Sequence, residues 1–346
     1  MMLFSDSIIN WYKQNKRNLP WRDTSDPYII WLSEIILQQT RIAQGLPYFI
    51  KFIEAYPTVY DLAKAEEQEV LKLWQGLGYY SRARNLYKTA QYIAFELNGI
   101  FPKSYKELLR LKGVGNYTAA AIASFCYKEP VPVVDGNVYR VLARFFDVET
   151  DISSSIAKKE FTELAAELID KNKPDLFNQA IMEFGALQCI PHNPDCGICV
   201  FNDSCLALKQ KKVRMLPVKS KNKPVKKRFF NFLVFVDSNG QTILEKRNEK
   251  DIWQNLYQFP LLESESEYEW QDMQKNINNT AYKNYEITSF EEFPDSRIIH
   301  KLTHQQLMIR FWKIHTKGEL KHAISYDKIK SYPFPIVVFN FIEKNF

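Results

Sequence analysis

The sequence predicts a multidomain protein in which an all-α domain is followed by an α+β domain. Its 346 residues exceed one ordinary domain and suit two. Residues from about 5 to 208 follow helical periodicity, with Gly or Pro at many of the joints. After Cys205 the pattern changes to a basic stretch and then to apolar, aromatic strand-like runs. The hydrophobic fraction of 46% is enough to form both cores.

The helices of the first domain follow from local signals. Asp26-Pro27 predicts a helix start, since Pro suits the first helical position, and apolar residues follow it at helical spacing. The same reasoning predicts helices at about 45–56, 66–76, 81–98, 104–110, 116–127, 137–146, 156–171 and 175–188.

The second domain begins with a strand at 229–236, where apolar and aromatic residues occupy every position but Asn231. Asn239-Gly240 predicts a hairpin turn, with 242–246 as the returning strand. The segments 307–314 and 336–339 extend the strand pattern. We therefore expect an α+β domain over 229–346.

A basic connector is predicted between the two domains, at 209–228, so that the first domain spans 1–208. The chain carries a net charge of +6, and the connector holds ten Lys and Arg residues without an acid. Such a stretch suits a phosphate backbone, although an ordinary solvated linker would have the same composition.

The chain shows no sign of export or membrane insertion. Its first residues lack a basic segment followed by an apolar core, and no apolar run approaches the ~18 residues of a membrane helix. We expect a cytoplasmic protein with no membrane partner. In that reducing compartment clustered cysteines are metal ligands more often than disulfides.

Four of the five cysteines lie in one loop, at 189–205. Cys189, Cys196, Cys199 and Cys205 follow the spacing C-x6-C-x2-C-x5-C. Four thiolates this close together suit an iron–sulfur cubane. Zinc is the alternative, but its sites usually pair two C-x2-C knuckles and only one is present. We predict one 4Fe-4S cluster that orders the loop structurally.

A Gly-x-Gly turn at Gly113 and Gly115 joins two predicted helices. Without a Cβ, the backbone N–H groups can approach a phosphate, and the next helix presents its positive N-terminus to it. By itself, this pattern is also that of an ordinary turn.

Two carboxylates suit acid-assisted cleavage of an N-glycosidic bond. Asp135 stands before a predicted helix, as an N-cap would, and the helix dipole should keep it ionised. Glu34 lies amid apolar residues such as Ile30 and Ile35, which should raise its pKa. One protonated acid and one ionised carboxylate are the pair that such a reaction needs. Sequence alone does not show that the two residues meet.

Together, these motifs resemble the helix–hairpin–helix DNA glycosylases. They are the cysteine spacing, Leu-x-Gly-Val-Gly at 111–115 and Val-Asp-Gly-Asn-Val-x-Arg at 134–140. Ser33-Glu34 with Leu-Gln-Gln-Thr at 37–40, Gly-Leu-Gly-Tyr-Tyr at 76–80 and the second domain make the chain similar to the adenine DNA glycosylase family. The resemblance implies an all-α helix–hairpin–helix domain with an iron–sulfur loop, followed by an α+β Nudix-like domain.

The resemblance also implies roles for individual residues. Glu34 would protonate adenine, Asp135 would stabilise the sugar cation, and Tyr117 and Asn137 would complete the catalytic set. The flipped adenine would be held by Trp21, Arg22, Gln179 and Glu183. DNA contacts would come from Gln38, Gln39, Thr40, Tyr79, Gly113 and Gly115, with Gln39 and Tyr79 filling the gap left by base flipping.

Three features of the sequence refine this expectation. Related lyases carry a Schiff-base lysine where this chain has Tyr117, so we expect a monofunctional glycosylase. The second domain lacks the carboxylate box of Nudix hydrolases and should not hydrolyse nucleotides. The family's Phe-Ser-His lesion loop corresponds to Leu302, Thr303 and His304, which keep the hydroxyl and the imidazole and lose the aromatic ring.

The expected substrate is double-stranded DNA with adenine opposite 8-oxoguanine or guanine, bound by a nucleoid-associated monomer. A pyrimidine-specific lyase, a redox-sensing DNA-binding protein and a nucleotide hydrolase are the alternatives. Tyr117, the paired carboxylates and the missing Nudix box, respectively, argue against them.

Overall fold

The structure is a computed structural model that describes residues 2–220, 225–277, 280 and 282–346. It divides into two compact units. The first comprises residues 1–64 and 85–221, and the second comprises 65–84 and 222–346. The second unit therefore includes a segment, 65–84, that the sequence placed in the helical domain. The predicted boundaries at 208 and 228 stay predictions.

The first unit is helical. Its helices before the Gly-x-Gly turn are α1 (Met2–Asn15), α2 (Pro27–Leu37), α3 (Ile42–Ala55) and α4 (Val59–Lys64). The helix α6 (Ser81–Gln91) enters this unit at residue 85, continues as a π-helix over Tyr92–Glu96, and is followed by the short α7 (Tyr105–Leu108). The remaining helices are α8 (Asn116–Tyr127), α9 (Gly136–Phe146), α10 (Ser155–Leu168), α11 (Pro174–Leu187) and α12 (Leu206–Lys209).

Local chemistry explains where the site-bearing helices begin and how they pack. The Asp26 carboxylate accepts a hydrogen bond from the Tyr28 N–H at 2.8 Å and caps α2. Helix α8 packs against α2, and its buried residues include alanines at 119–121, whose methyl groups add little bulk. This packing brings the buried face of α2, which carries Glu34, towards the first turn of α8.

The segment 65–84 contains α5 (Glu67–Leu73) and the first turn of α6, and its partners lie in the C-terminal part of the chain. The Tyr80 hydroxyl donates to the Phe334 carbonyl at 3.1 Å, and the Phe334 N–H donates to Gln75 Oε1 at 3.0 Å. Arg84 donates to the Gln254 carbonyl at 2.8 Å. Side chains of 65–84 thus bind backbone groups of the C-terminal part directly.

The second unit is built on a mixed sheet. Its strands are β1 (Lys226–Val236), β2 (Glu245–Lys246), β3 (Tyr257–Gln258), β4 (Leu261–Ser264), β5 (Ile287–Glu292), β6 (Ile298–Lys301) and β7 (Gln305–Thr316). Strand β1 pairs antiparallel with β4 and parallel with β7, while β5 and β6 pair antiparallel with β7. Strands β2 and β3 form a separate pair. The helices are α13 (Trp270–Ile277), α14 (Tyr326–Ile329) and α15 (Ile336–Asn345).

Strand β1 is covered on both faces, which explains why apolar residues follow one another along it instead of alternating with polar ones. Leu233 and Phe235 belong to a core cluster that contains Met273 of α13. On the opposite face, Phe232 stacks on Phe311, which in turn stacks on Phe341 of α15. The predicted fold class, an all-α part followed by an α+β part, is confirmed.

Two strand predictions were wrong. Residues 336–339 form the first turn of α15, because the apolar pattern continues at helical spacing to Phe341 and Ile342. Residues 242–246 do not return along β1. The turn after β1 forms, since the Gly240 N–H donates to the Asp237 carbonyl at 3.0 Å, but Glu245 and Lys246 pair with β3 instead.

The connector is only partly solvated. Lys212 forms ion pairs with Asp147 at 2.8 Å and Glu149 at 2.7 Å, and residues 226–228 already belong to β1. Lys221, Lys223 and Pro224 of the connector lie outside the described residues. Among the described helices, none is long and apolar enough to cross a bilayer.

Candidate active site

A cavity of about 600 Å³ in the first unit gathers most of the predicted site residues. It lies among α2, α8, α9, α11 and the loop before α2. The predicted residues that line it are Trp21, Arg22, Glu34, Thr40, Tyr117, Asp135, Asn137, Gln179 and Glu183. Glu34 and Asp135, about a hundred positions apart in sequence, therefore face one space that is large enough for a nucleobase.

Glu34 is a buried acid with a shifted pKa. It is 6% exposed, and burial raises its pKa from 4.5 to about 7. A hydrogen bond from the Tyr117 hydroxyl works against this shift, as does the charge of Arg22, whereas the negative charge of Asp135 adds to it. At neutral pH this group is divided between acid and carboxylate, as a general acid requires.

Asp135 is the N-cap of α9 and faces the cavity at the same time. Its Oδ1 accepts the Asn137 N–H at 2.9 Å and the Val138 N–H at 2.8 Å, and its Oδ2 accepts the Asn137 amide at 2.8 Å. Burial raises the pKa of Asp135, whereas these hydrogen bonds lower it. The helix terminus thus favours the carboxylate as expected, but burial has the larger effect.

Asn137 is held by Arg140, to which the sequence reasoning gave no role. Arg140 Nη2 donates to Asn137 Oδ1 at 2.8 Å and to the Gly185 carbonyl at 2.6 Å. Its Nε donates to the Cys189 carbonyl at 2.7 Å. Arg140 therefore ties the Asp135–Asn137 pair to the first residue of the cysteine loop.

The residues expected to hold the base divide into two groups. Trp21 is 8% exposed and packs edge-on against Phe49, so its ring forms a rigid wall. Both oxygens of the Glu183 carboxylate are engaged by Arg17 and Arg22, at distances from 2.5 to 2.9 Å. These contacts outweigh the effect of burial and lower the pKa of Glu183 to about 2. Glu183 therefore orients Arg22 rather than presenting a free carboxylate.

The amide oxygen of Gln179 also has a partner within the protein, since Oε1 accepts a hydrogen bond from the Tyr12 hydroxyl at 2.8 Å. Arg17 and Tyr12 were missed by the sequence reasoning. Both precede the first recognised motif, and neither has a distinctive spacing that would have identified it.

Four of the six predicted DNA-contact residues are exposed, whereas Gln38 and Thr40 are half-buried. Gln38 Nε2 donates to the Thr118 hydroxyl at 3.1 Å, and Gln39 is exposed with a φ of 54°. Gly113 has a φ of 78°, and a Cβ there would lie 2.7 Å from the Cβ of Asn85. Gly115 is exposed and caps α8. The turn therefore presents bare backbone, as phosphate binding would need.

Tyr79 belongs to the second unit, with Leu302, Thr303 and His304. Tyr79 is 45% exposed and has a φ of 48°. The predicted lesion loop is the turn between β6 and β7, where Thr303 and His304 are exposed. The hydroxyls of Tyr79 and Thr303 form a hydrogen bond. The structure thus joins a predicted intercalating residue to the predicted lesion loop.

The four cysteines of the loop 189–205 line one pocket with apolar neighbours such as Phe145 and Phe184. Arg144 Nη1 lies 3.4 Å from Cys189 Sγ, and the Phe201 N–H donates to Cys199 Sγ at 3.4 Å. Across the described part of the chain, no three His, Cys, Asp or Glu side chains are arranged around a single metal ion. Four thiolates around one pocket are a donor set that suits a cluster of several metal atoms, in which each thiolate binds a different atom.

Comparison with known families matches both parts of the chain. Residues 32–167 match the HhH-GPD superfamily of base excision DNA repair proteins, and residues 231–344 match the NUDIX domain. These matches confirm the predicted helix–hairpin–helix and Nudix-like domains. The first match covers Glu34, Tyr117 and Asp135, and the second covers the loop at 302–304.

Named relatives and solved structures agree with this assignment. A protein called adenine DNA glycosylase from Buchnera aphidicola (subspecies Schizaphis graminum) is 36% identical over 311 residues, which cover 89% of this chain and 86% of the relative. The Homo sapiens protein of the same name is 42% identical over 213 residues, which cover 59% of this chain and 39% of the relative.

Among solved structures, a thermostable thymine-DNA glycosylase is similar with a TM-score of 0.56 and 30% identity, covering 60% of this chain and 96% of that one. A non-covalent endonuclease III–DNA complex has a TM-score of 0.52 at 22% identity, covering 60% of this chain and 95% of that one, and shows the fold alone. Since the Buchnera relative matches along nearly its whole length, the chain belongs to the adenine DNA glycosylase family of base excision repair hydrolases.

Proposed function

We propose that this enzyme removes adenine paired with 8-oxoguanine or guanine in double-stranded DNA and leaves the sugar–phosphate backbone intact. The observation that carries the proposal is the buried Glu34, with a pKa of about 7, in one cavity with Asp135. The protein would act as a monomer. It would be located with the DNA, which is in the cytoplasm if the cell has a nucleoid.

The two carboxyl groups would have different roles, Glu34 as an acid and Asp135 as a carboxylate. The flipped adenine would enter the cavity against Trp21, and the Glu34 carboxylic acid would donate its proton to a ring nitrogen of the base. The C–N bond then breaks, its electron pair leaves with adenine, and the sugar becomes an oxocarbenium ion. The Asp135 carboxylate would stabilise that cation by charge, at no cost of reorganisation because three hydrogen bonds already fix it.

Water would complete the reaction. After it has donated its proton, Glu34 is a carboxylate, and it can accept a proton from the water that attacks the sugar carbon. The Glu34 acid is thereby restored, and the net reaction is hydrolysis. The Tyr117 hydroxyl remains hydrogen-bonded to Glu34 in this scheme. This hydrogen bond lowers the pKa of Glu34 and so stabilises the carboxylate that forms after proton donation.

Tyr117 also supports a monofunctional reaction. A lyase needs an amine near the sugar to form an imine, and the side chain beside Glu34 at this position is a phenol. Burial raises the pKa of Tyr117 well above its usual range, so it stays a neutral hydrogen-bond donor. A pyrimidine-specific lyase is the second candidate, and the absence of a lysine at residue 117 argues against it.

Cys189, Cys196, Cys199 and Cys205 would hold one 4Fe-4S cluster, which supplies a rigid cross-link for the loop 189–205. The N–H donors of Arg144 and Phe201 would stabilise the negative thiolates. Through the Arg140–Cys189 contact, an ordered loop would keep Asn137 and Asp135 in place. Iron and sulfide analysis tests this, with about four of each per chain expected.

Recognition of the opposite base would come from the second unit. Thr303 and His304 offer a hydroxyl and an imidazole to the edge of 8-oxoguanine, and Tyr79 would enter the base stack beside it. The Tyr79–Thr303 hydrogen bond supports a shared role for these residues. Gln39 would fill the gap that the flipped adenine leaves.

The test is a duplex with one adenine opposite 8-oxoguanine, incubated with the enzyme and then divided into two portions. Strand breaks seen mainly in the portion heated with alkali would establish base removal without lyase activity. Release from A:8-oxoguanine and A:G but not from A:T would establish the mispair preference. No adenine release, or breaks formed equally without alkali, would refute the proposal.

A further inference from the structure

A second groove lies next to the catalytic cavity in the first unit and has no role in the reaction described above. Its volume is about 540 Å³. We call it the lysine groove and define it by Tyr105, Tyr117, Pro132, Tyr139, Lys158 and Lys159. It therefore combines aromatic walls with a cationic edge.

The lysine groove shares a wall with the catalytic cavity. Tyr117 lines both spaces, and Val134, which also lines the groove, directly precedes Asp135. A nucleotide extruded into the cavity stays attached to its strand, so the backbone beside it must cross the surface at the rim of the cavity. The lysine groove is the concave surface that adjoins the cavity at Tyr117.

The edge of the groove suits a phosphodiester. Lys158 and Lys159 are exposed on α10, and Asn116, at the start of α8, is an exposed lining residue as well. Glu163 lies 3.8 Å from Lys159, but both side chains are strongly exposed, at 63% and 80%, and such pairs are weak. A phosphate could therefore compete for these ammonium groups.

The walls suit the rest of a nucleotide. Tyr139 is half-buried and its ring is fixed edge-on against Phe161 at 5.0 Å. Fixed aromatic rings next to lysines are the usual means of holding a single strand without reading its sequence, since every base and sugar offers an apolar face. We propose that the lysine groove binds the phosphate and sugar of the nucleotide that adjoins the extruded adenine on the same strand.

This inference rests on the proposed function, because it requires an extruded nucleotide. The experiment uses the full chain and two duplexes. One carries 2′-fluoro-deoxyadenosine opposite 8-oxoguanine, which can be flipped but resists hydrolysis because fluorine destabilises the oxocarbenium ion. The other is fully matched. Dissociation constants are measured from roughly 50 to 200 mM salt, where phosphate contacts dominate the salt dependence.

The test variant is Lys158→Ala/Lys159→Ala, and the control is Lys171→Ala/Lys173→Ala, which removes two exposed lysines of the same unit that line neither space. For the test variant on the mispaired duplex, we expect the slope of log Kd against log salt to fall by roughly one. On the matched duplex and for the control, the slope should not change. For the control variant, single-turnover release of adenine at saturating enzyme should stay within about twofold of wild type, since its two lysines line neither space.

An unchanged slope on the mispaired duplex would overturn the assignment of the groove, as would an equal loss on both duplexes, which would indicate general attraction to DNA. Adenine release by the wild-type protein distinguishes a failure of the groove assignment from a failure of the proposed function. If it releases adenine and the variant slope is unchanged, only the groove assignment falls. If it releases none, both proposals fall.

Discussion

Replacing Glu34 by Gln should stabilise the protein at alkaline pH while abolishing adenine release. The carboxyl is buried, and its pKa lies at about 7 instead of 4.5. Each pKa unit corresponds to ~1.36 kcal/mol, so ionising this group in the fold costs about 3 kcal/mol more than in the unfolded chain. An amide carries no charge at any of these pH values and avoids that cost.

The direction with pH follows from the raised pKa. Below pH 4.5 the Glu34 acid is neutral in the folded protein and in the unfolded chain, so it does not lower the stability. As the pH rises from 4.5 to about 7, the unfolded chain ionises first and the folded protein loses stability, and above about 7 the loss is complete. The free energy of unfolding of the variant, relative to that of wild type, should therefore increase by about 2 kcal/mol between roughly pH 5.5 and pH 8.5.

Urea unfolding at several pH values measures this difference, because the midpoint and slope give the free energy of unfolding. Asp135 is present in both proteins, and its charge interaction with Glu34 is already part of the raised pKa of Glu34, so the comparison measures the two effects together. Glu54→Gln, an exposed residue of α3, is the matched control for losing one negative charge. A stability difference between Glu34→Gln and wild type that stays constant with pH would refute the reasoning.

Three further predictions concern the reaction. The single-turnover rate should fall as the pH rises through about 7, because the acid form of Glu34 is the proposed proton donor; a rate independent of pH there would contradict this role. Tyr117→Phe removes a hydrogen bond that stabilises the carboxylate, and should move that fall to higher pH by about one unit in the pH–rate profile. An unchanged profile would show that the hydroxyl does not influence Glu34. Arg140→Met should slow adenine release by about 10²-fold, with mispair affinity retained, because Asn137 and Asp135 lose their fixed position. Equal losses in rate and affinity would indicate a DNA-binding role instead.

The two carboxylates of the proposed catalytic pair were identifiable because each residue carries a local signal. Glu34 is an acid on an apolar helix face, and Asp135 is an acid at a helix start, and both signals survive in the fold. Their meeting could not be derived from spacing, since it depends on how α2 packs against α8. The resemblance supplied that step, and the shared cavity agrees with it.

Other features depend on contacts that no local pattern encodes. Glu183 is named in the predicted set, but its engagement by Arg17 follows only from the folded path of the N-terminal loop. Residues 336–339 have the composition of a strand, and only a window that reaches Ile342 shows the helical spacing. Strand β1 finds its parallel partner about eighty residues later, beyond the reach of hairpin rules.

The path of the chain through the segment 65–84 limits what truncation can show. The backbone passes between the units near residues 64, 84 and 221, so no single cut separates them. A fragment that ends at 221 would keep Tyr80 and Gln75 but remove Phe334, to which both are hydrogen-bonded. Loss of lesion preference in such a fragment would have two causes, the missing loop at 302–304 and an unsupported Tyr79. A point substitution such as His304→Ala alters the loop and keeps Thr303, the hydrogen-bond partner of Tyr79, in place.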